Sequence, residues 1–146
     1  MEQHHFEEFR LSSRTWKHIE EELESYHKTK NRIALRREEI LFKHKETDTN
    51  IGGGKSNTIS DPTGQKGTAL GMDIELQHMT QIVDVIEYVY SRLDDEKKQL
   101  VQLAYWTKPQ TLTPIGIAIK LNVTDRTVRR WKTEIIYAIA ALMGWR

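Results

Sequence analysis

Residues Pro114 to Thr133 read PIGIAIKLNVTDRTVRRWKT, and they carry the spacing of a helix-turn-helix. Ala118 supplies the small side chain wanted where the two helices cross. Ile117, Leu121, Val123, Val128 and Trp131 fall on the positions that must be apolar to bury the pair. Asn122 lands in the turn, where φ > 0 is needed and Asn is the best choice after Gly. Thr113 is placed to cap the first helix with Pro114 at its first position, and Thr124 to cap the second. At roughly 100° per residue, Val128, Trp131 and Ile135 share one face of the second helix. Arg126, Arg129, Arg130 and Thr133 share the opposite one. With Thr124, Asp125 and Thr127 of the first turn they form the candidate DNA-contact set. Cations for phosphate and Arg forks for guanine O6 and N7 are what a major-groove recognition helix requires. A solvated basic face on an ordinary hairpin would explain the charge alone. It would not explain why spacing, caps and charge agree.

The charge pattern supports the same end of the chain. Net charge is +1 over 146 residues, yet the segment from Lys108 onward carries +5 and the remainder −4. A molecule polarised in this way meets DNA with its basic end. The hydrophobic fraction of 38% supports a modest core, in one or two small domains. There are no cysteines, so disulfides, thiolate metal sites and Cys nucleophiles are excluded. No apolar run approaches a membrane span, and the acidic, His-rich start is not a signal peptide. The expectation is a soluble, cytoplasmic protein.

Upstream, a helical pattern runs from Ser12 or Ser13 to about Glu46. Trp16, Ile19, Leu23, Tyr26, Ile33 and Ile40 follow alternating steps of three and four, which also places Lys30 and Arg37 on the seam. A stripe this narrow needs a partner helix. From Thr47 to Ala69 the chain turns rich in Gly, Ser, Thr and Asn, with Pro62 inside it, and reads as a long loop. Helical pattern resumes near Leu70, with Met72, Met79, Ile82, Ile86, Val89 and Leu93 on one stripe, widened by Val83, Val85 and Tyr90. Asp94 or Asp95 then caps a short helix carrying Leu100, Leu103 and Ala104 to about Trp106, before Lys108-Pro109 breaks it. The recognition helix continues through Ile135, Ile139 and Leu142 to a stop at Gly144. The expected fold is all-α, with residues 1–93 a helical oligomerisation or partner region and residues 94–146 the DNA-reading domain.

Three decoys fall away on spacing. Gly54-Lys55-Ser56 resembles the end of a phosphate-binding loop, but Thr49 stands where its first Gly is required and no buried strand precedes it. Glu24-x-x-His27 and Glu75-x-x-His78 have the step used in di-iron bundles. Such a site also needs a Glu from each of two other core helices, and Glu24 and His27 lie off the seam. No nucleophile motif, metal cluster or cofactor-binding signature is present, and catalysis is not expected.

Two stretches carry a family resemblance. Asp48-Thr49-Asn50-Ile51-Gly52-Gly53, with Ser56-Asn57-Thr58 after it, resembles the loop of the RinA type of phage late-gene transcriptional regulators. The ArpU-type regulators are similar in layout. Leu93 to Tyr105, LDDEKKQLVQLAY, has the Leu-to-Tyr spacing that leads into a helix-turn-helix resembling sigma-factor region 4. The departures are a longer loop from Trp106 to Thr113 and an extra Gly54. The resemblance implies a protein of the bacterial host cell that binds promoter DNA upstream of packaging and structural genes and activates it. Homo-oligomerisation or contact with host RNA polymerase would fall to the N-terminal region. The nearest rival is a small terminase subunit, a DNA-packaging component that pairs a helix-turn-helix with ring-forming helices. An enzyme with an accessory helix-turn-helix is disfavoured by the lack of any acidic metal cluster or nucleophile.

Overall fold

The computed structural model describes residues 10–49 and 62–146, and all regular structure among them is helical. The elements are α1 (Ser13–Glu24), α2 (Tyr26–Thr49), α3 (Pro62–Met72), α4 (Ile74–Ser91), α5 (Asp95–Val101), α6 (Pro114–Lys120) and α7 (Asp125–Met143). α5 runs on into a π-helical turn, Gln102–Trp106. No helix of the described residues is long and apolar enough to cross a membrane. The all-α expectation holds.

The chain divides into two compact units, one formed by Met1–Tyr26 with Asp84–Arg146 and the other by His27–Val83. The first therefore takes in α1 and the last turns of α4 as well as residues 94–146. Ser12 caps α1 by accepting from the Thr15 amide at 3.1 Å, and Asp94 caps α5 by accepting from Lys97 at 2.9 Å. Ile19, Leu23, Leu100, Val101, Val128, Ile136 and Ile139 are its most deeply buried large side chains. Polar ties close the edges of this core. The Glu20 carboxylate accepts from Trp16 Nε1 at 2.7 Å and from the Tyr105 hydroxyl at 2.9 Å. Burial first, and then the Glu20 charge, push the Tyr105 phenol far above its ordinary range, so it remains a donor. Trp106 stacks on Tyr26 with ring centroids 4.9 Å apart and donates its Nε1–H to the Leu23 carbonyl at 3.0 Å. Gln110 Nε2 reaches back to the Leu103 and Ala104 carbonyls, each at 2.9 Å, satisfying acceptors at the π turn.

Within His27–Val83, α2 packs Ile33 and Ile40 inward, and α4 does so with Leu76, Met79, Ile82 and Val83. At one end sits an ion cluster. Arg36 reaches Asp73 Oδ2 at 2.8 Å, Glu39 at 3.2 Å and Glu75 at 3.8 Å, and Arg32 meets Glu75 at 3.3 Å. Asp73 also caps α4, accepting from the Leu76 amide at 2.8 Å. The Arg36 hydrogen bond and that amide hold the Asp73 carboxyl below its ordinary range.

Four features differ from the sequence reading. The long N-terminal helix is interrupted at Ser25, whose amide turns back to Glu21 and Leu23 carbonyls. Beyond Ser25, Ile33 and Ile40 stay inward as expected, but the polar positions on the seam change. Thr29 is buried and Arg36 half-buried, while Lys30 and Arg37, expected on the seam, are exposed. Residues Pro62 to Ala69, expected within the loop, belong to α3, consistent with proline's preset φ at a first helical position. The expected continuous stripe from Leu70 is broken by the Asp73 cap, and Met72, placed on that stripe, is 74% exposed. Residues Asn50 to Asp61, including most of the DTNIGG run and Gly54-Lys55-Ser56, lie outside the described residues.

Candidate nucleic-acid interface

The segment from Thr113 to Met143 is a short helix, a tight turn and a long helix, each boundary set by a local device. Thr113 Oγ1 accepts from the Gly116 amide at 3.1 Å, with Pro114 at the first helical position. A Cβ at Gly116 would stand 3.3 Å from that same hydroxyl, so the absent side chain leaves the cap its room. At the far end of α6 the Val123 amide donates to Ala118 at 3.0 Å and the Asn122 amide to Ile119 at 3.1 Å. That pair of bonds is a Schellman closure, with Asn122 as its left-handed residue at φ 56°. Thr124 Oγ1 accepts from the Thr127 amide at 3.1 Å and starts α7. Gly144, at φ 71°, ends it.

The two helices meet through Ile117, Ala118, Val128 and Trp131, all buried, with Leu121 and Val123 half-buried beside them. Further along α7 the same face buries Ile135, Ile136, Ile139 and Ala140. Leu142, expected on this stripe, is half exposed. Two polar contacts tie α7 to its neighbours. Lys97 of α5 meets Glu134 at 2.8 Å, and the Lys132 ammonium lies 5.8 Å from the centre of the Tyr105 ring. Lys132 thus turns toward the scaffold, leaving the arginines as the cations of the outer face.

Arg126, Arg129, Arg130 and Thr133 are exposed on that face, as is Thr124, whereas Asp125 and Thr127 are half-buried. The seven candidates are not equivalent. Thr124 and Thr127 join hydroxyl to hydroxyl at 2.9 Å, and the Thr133 hydroxyl donates to the Arg129 carbonyl at 2.8 Å. Arg129 Nη2 lies 2.7 Å from Asp125 Oδ2. Arg126 and Arg130 take no ion-pair partner among the described residues. The spacing of four between Asp125 and Arg129 was the available signal for the pair, and reading each residue singly passes over it. Gln110, which steadies the chain entering α6, gives no sequence signal, because its acceptors exist only where the helix widens. Among the described residues no group of three His, Asp or Glu side chains is placed to hold a metal ion. Glu75 of the Glu-x-x-His step is engaged with Arg32 and Arg36.

Comparison with known proteins adds an independent line. Among curated proteins, the transcriptional activator rinA of Staphylococcus phage phi11 is 25% identical over 134 residues, covering 92% of this chain and 94% of that protein. No solved structure matches. A family described as proteins of unknown function (DUF722) matches residues 15–141, which takes in most of α1 and of α7 and every described helix between them. The chain belongs to that family, and it is of the RinA type.

Proposed function

We propose that this protein is a sequence-specific, double-stranded-DNA-binding regulator that activates transcription of phage late genes. In this reading α6 and α7 act as a helix-turn-helix of the sigma region 4 kind. One observation carries the proposal: Arg126, Arg129 and Arg130 stand exposed on the side of α7 opposite the buried Val128, Trp131 and Ile135. The name of the phage phi11 relative supports it. Thr124, Asp125, Thr127 and Thr133 border the arginines and complete the contact set, with Arg126 or Arg129 reading guanine and Arg130 binding phosphate. Residues 94–146 are the reading part. Residues 1–93 provide self-association, as a dimer or larger assembly on repeated half-sites, or contact with RNA polymerase.

The test is footprinting of the full chain across the region upstream of its own genome's terminase genes, with the triple substitution of Arg126, Arg129 and Arg130 to Ala alongside. A discrete protected site that vanishes in a folded triple variant is the expected result. A folded triple variant that protects the same site refutes the assignment. A ring-sized mass in light scattering, without promoter protection, would point instead to a packaging component.

A further inference from the structure

The Arg129 side chain is 79% exposed, yet its guanidinium is held 2.7 Å from the Asp125 carboxylate one turn earlier. A pair this open to solvent adds little to folding stability. Asp125 also places a negative charge on the face whose other ionic groups are arginines, where it weakens any attraction to phosphate. Neither the stability of the pair itself nor general affinity for DNA accounts for it. Its consequence is geometric. Arg126 and Arg130 have no such tether among the described residues, so Arg129 alone has its direction set before anything binds.

We propose that Asp125 is a positioning residue that holds Arg129 ready to read one guanine. This deepens the DNA-binding function proposed above and rests on it. One guanidinium nitrogen faces Asp125 Oδ2, and a planar group with five N–H donors keeps a further edge for guanine O6 and N7. A long side chain ordered in advance loses less freedom on binding, and a fixed fork rejects bases lacking two aligned acceptors. Arg129 is then the base reader of the arginine face, and Arg126 and Arg130 contribute chiefly through charge.

The competing account is that Asp125 acts only within its own helix. It sits in the first turn of α7, where a carboxylate complements the helix dipole. The experiment separates the two. Full-length wild type, Asp125→Asn, Asp125→Glu, Arg129→Ala and the Asn/Ala double variant are each used to select duplexes from a randomised DNA library. Affinities are then measured for the selected duplex, its single-base variants and a scrambled duplex. Wild type should prefer guanine at one position by about 5- to 140-fold, the range of one bidentate contact. Arg129→Ala should abolish that preference. Asp125→Asn should reduce it at the same position while binding scrambled DNA more tightly, because a negative charge has gone. The double variant should match Arg129→Ala. Asp125→Glu keeps the first-turn charge but extends the carboxylate by a methylene, so it should regain thermal stability and only part of the preference.

Asp125→Asn binding every duplex more tightly with its base preferences intact would overturn the proposal, making the pair a brake on Arg129. A uniform loss on all duplexes, tracking a lowered melting temperature and fully restored by Glu, would overturn it in favour of the helix-dipole role. If Arg129→Ala changes base preference and Asp125→Asn does not, this inference alone falls. If no arginine substitution changes DNA binding, the proposed function falls with it.

Discussion

The two compact units are stabilised in different ways. Of the eight largest fully buried side chains among the described residues, seven belong to the unit of Met1–Tyr26 with Asp84–Arg146, and only Ile82 to His27–Val83. Exposed large apolar side chains are shared more evenly among the described residues. Leu35, Leu41, Phe42, Met72 and Ile74 lie in the smaller unit, the last two flanking the turn between α3 and α4, and Tyr88, Ile115, Ile119 and Leu142 lie in the first. The first unit has a deep core whose polar edges are closed by tryptophan, tyrosine and glutamine side chains. The second has a narrow seam and, at one end, an ion cluster around Arg36. A deep core can hold a long helix rigid enough to present an arginine face. A narrow seam with apolar flanks is suited to yielding or recruiting, which agrees with the partner role proposed for the N-terminal region.

The largest effect should come from the deep core. Trp131 is 8% exposed and packs between α6 and α7, so Trp131→Ala should cost about 3–5 kcal/mol, enough to unfold a marginal unit. Denaturant titration should show lost stability, and DNA binding should vanish with it. Ile33→Ala, on the narrow seam of the second unit, should cost about 2 kcal/mol, the lower end for such a truncation. Amide exchange should then rise within His27–Val83 and change little around α7. Equal stability losses for the two variants, or exchange spreading evenly through the chain, would break the contrast between the units.

How much of this was legible depended on whether the governing device was local. Thr113-Pro114, Asn122, Thr124 and Gly144 each act on their own few residues, so α6, its turn and α7 could be read from sequence nearly to the residue. The outward arginines followed from periodicity alone. Ser25 was not legible, because the apolar rhythm runs through it. Only Thr29 turned inward in place of Lys30, and Arg36 in place of Arg37, reveals the change. Asp73 was hidden likewise, since the apolar stripe read from Leu70 through Met72 to Met79 runs straight past it. Pro62 reads as a loop residue because Gly and Thr follow it, although a proline can equally open a helix. Membership of α1 in the unit that holds α7 depends on long-range contacts such as Tyr105 to Glu20, and no periodicity encodes those.

A smaller effect concerns pH. Asp73 has its carboxyl lowered by the Arg36 hydrogen bond and the Leu76 amide, so its ionised form favours the folded state. Stability from this source is present above the ordinary carboxylate range of about pH 4, and is lost as pH falls through the depressed folded value. Asp73→Asn keeps a side chain able to cap α4 while removing the charge. Acid titration followed by amide exchange should show wild-type His27–Val83 losing protection across that window, with the variant weaker at neutral pH and less sensitive to acid. A variant with the same acid dependence as wild type would remove the ion cluster from the account of the second unit.

The smallest effect on stability should be at Arg130, and it sharpens the comparison most at the site itself. Arg130 is exposed on α7 and takes no ion-pair partner among the described residues, so Arg130→Ala should move stability by no more than about 0.5 kcal/mol. Its effect belongs to binding. If Arg130 neutralises one phosphate, its removal should weaken binding to operator and scrambled DNA alike. It should also reduce the slope of log affinity against log salt by about one unit, since one fewer counterion is released. Base preference should stay as in wild type, which separates it from Arg129, whose loss should relax one position. Affinities of the folded variant for both DNAs at several salt concentrations decide the matter. An unchanged slope would make Arg130 part of a merely solvated face. A changed base preference would move the reading role one residue along α7 and leave the Asp125–Arg129 pair without the task assigned to it.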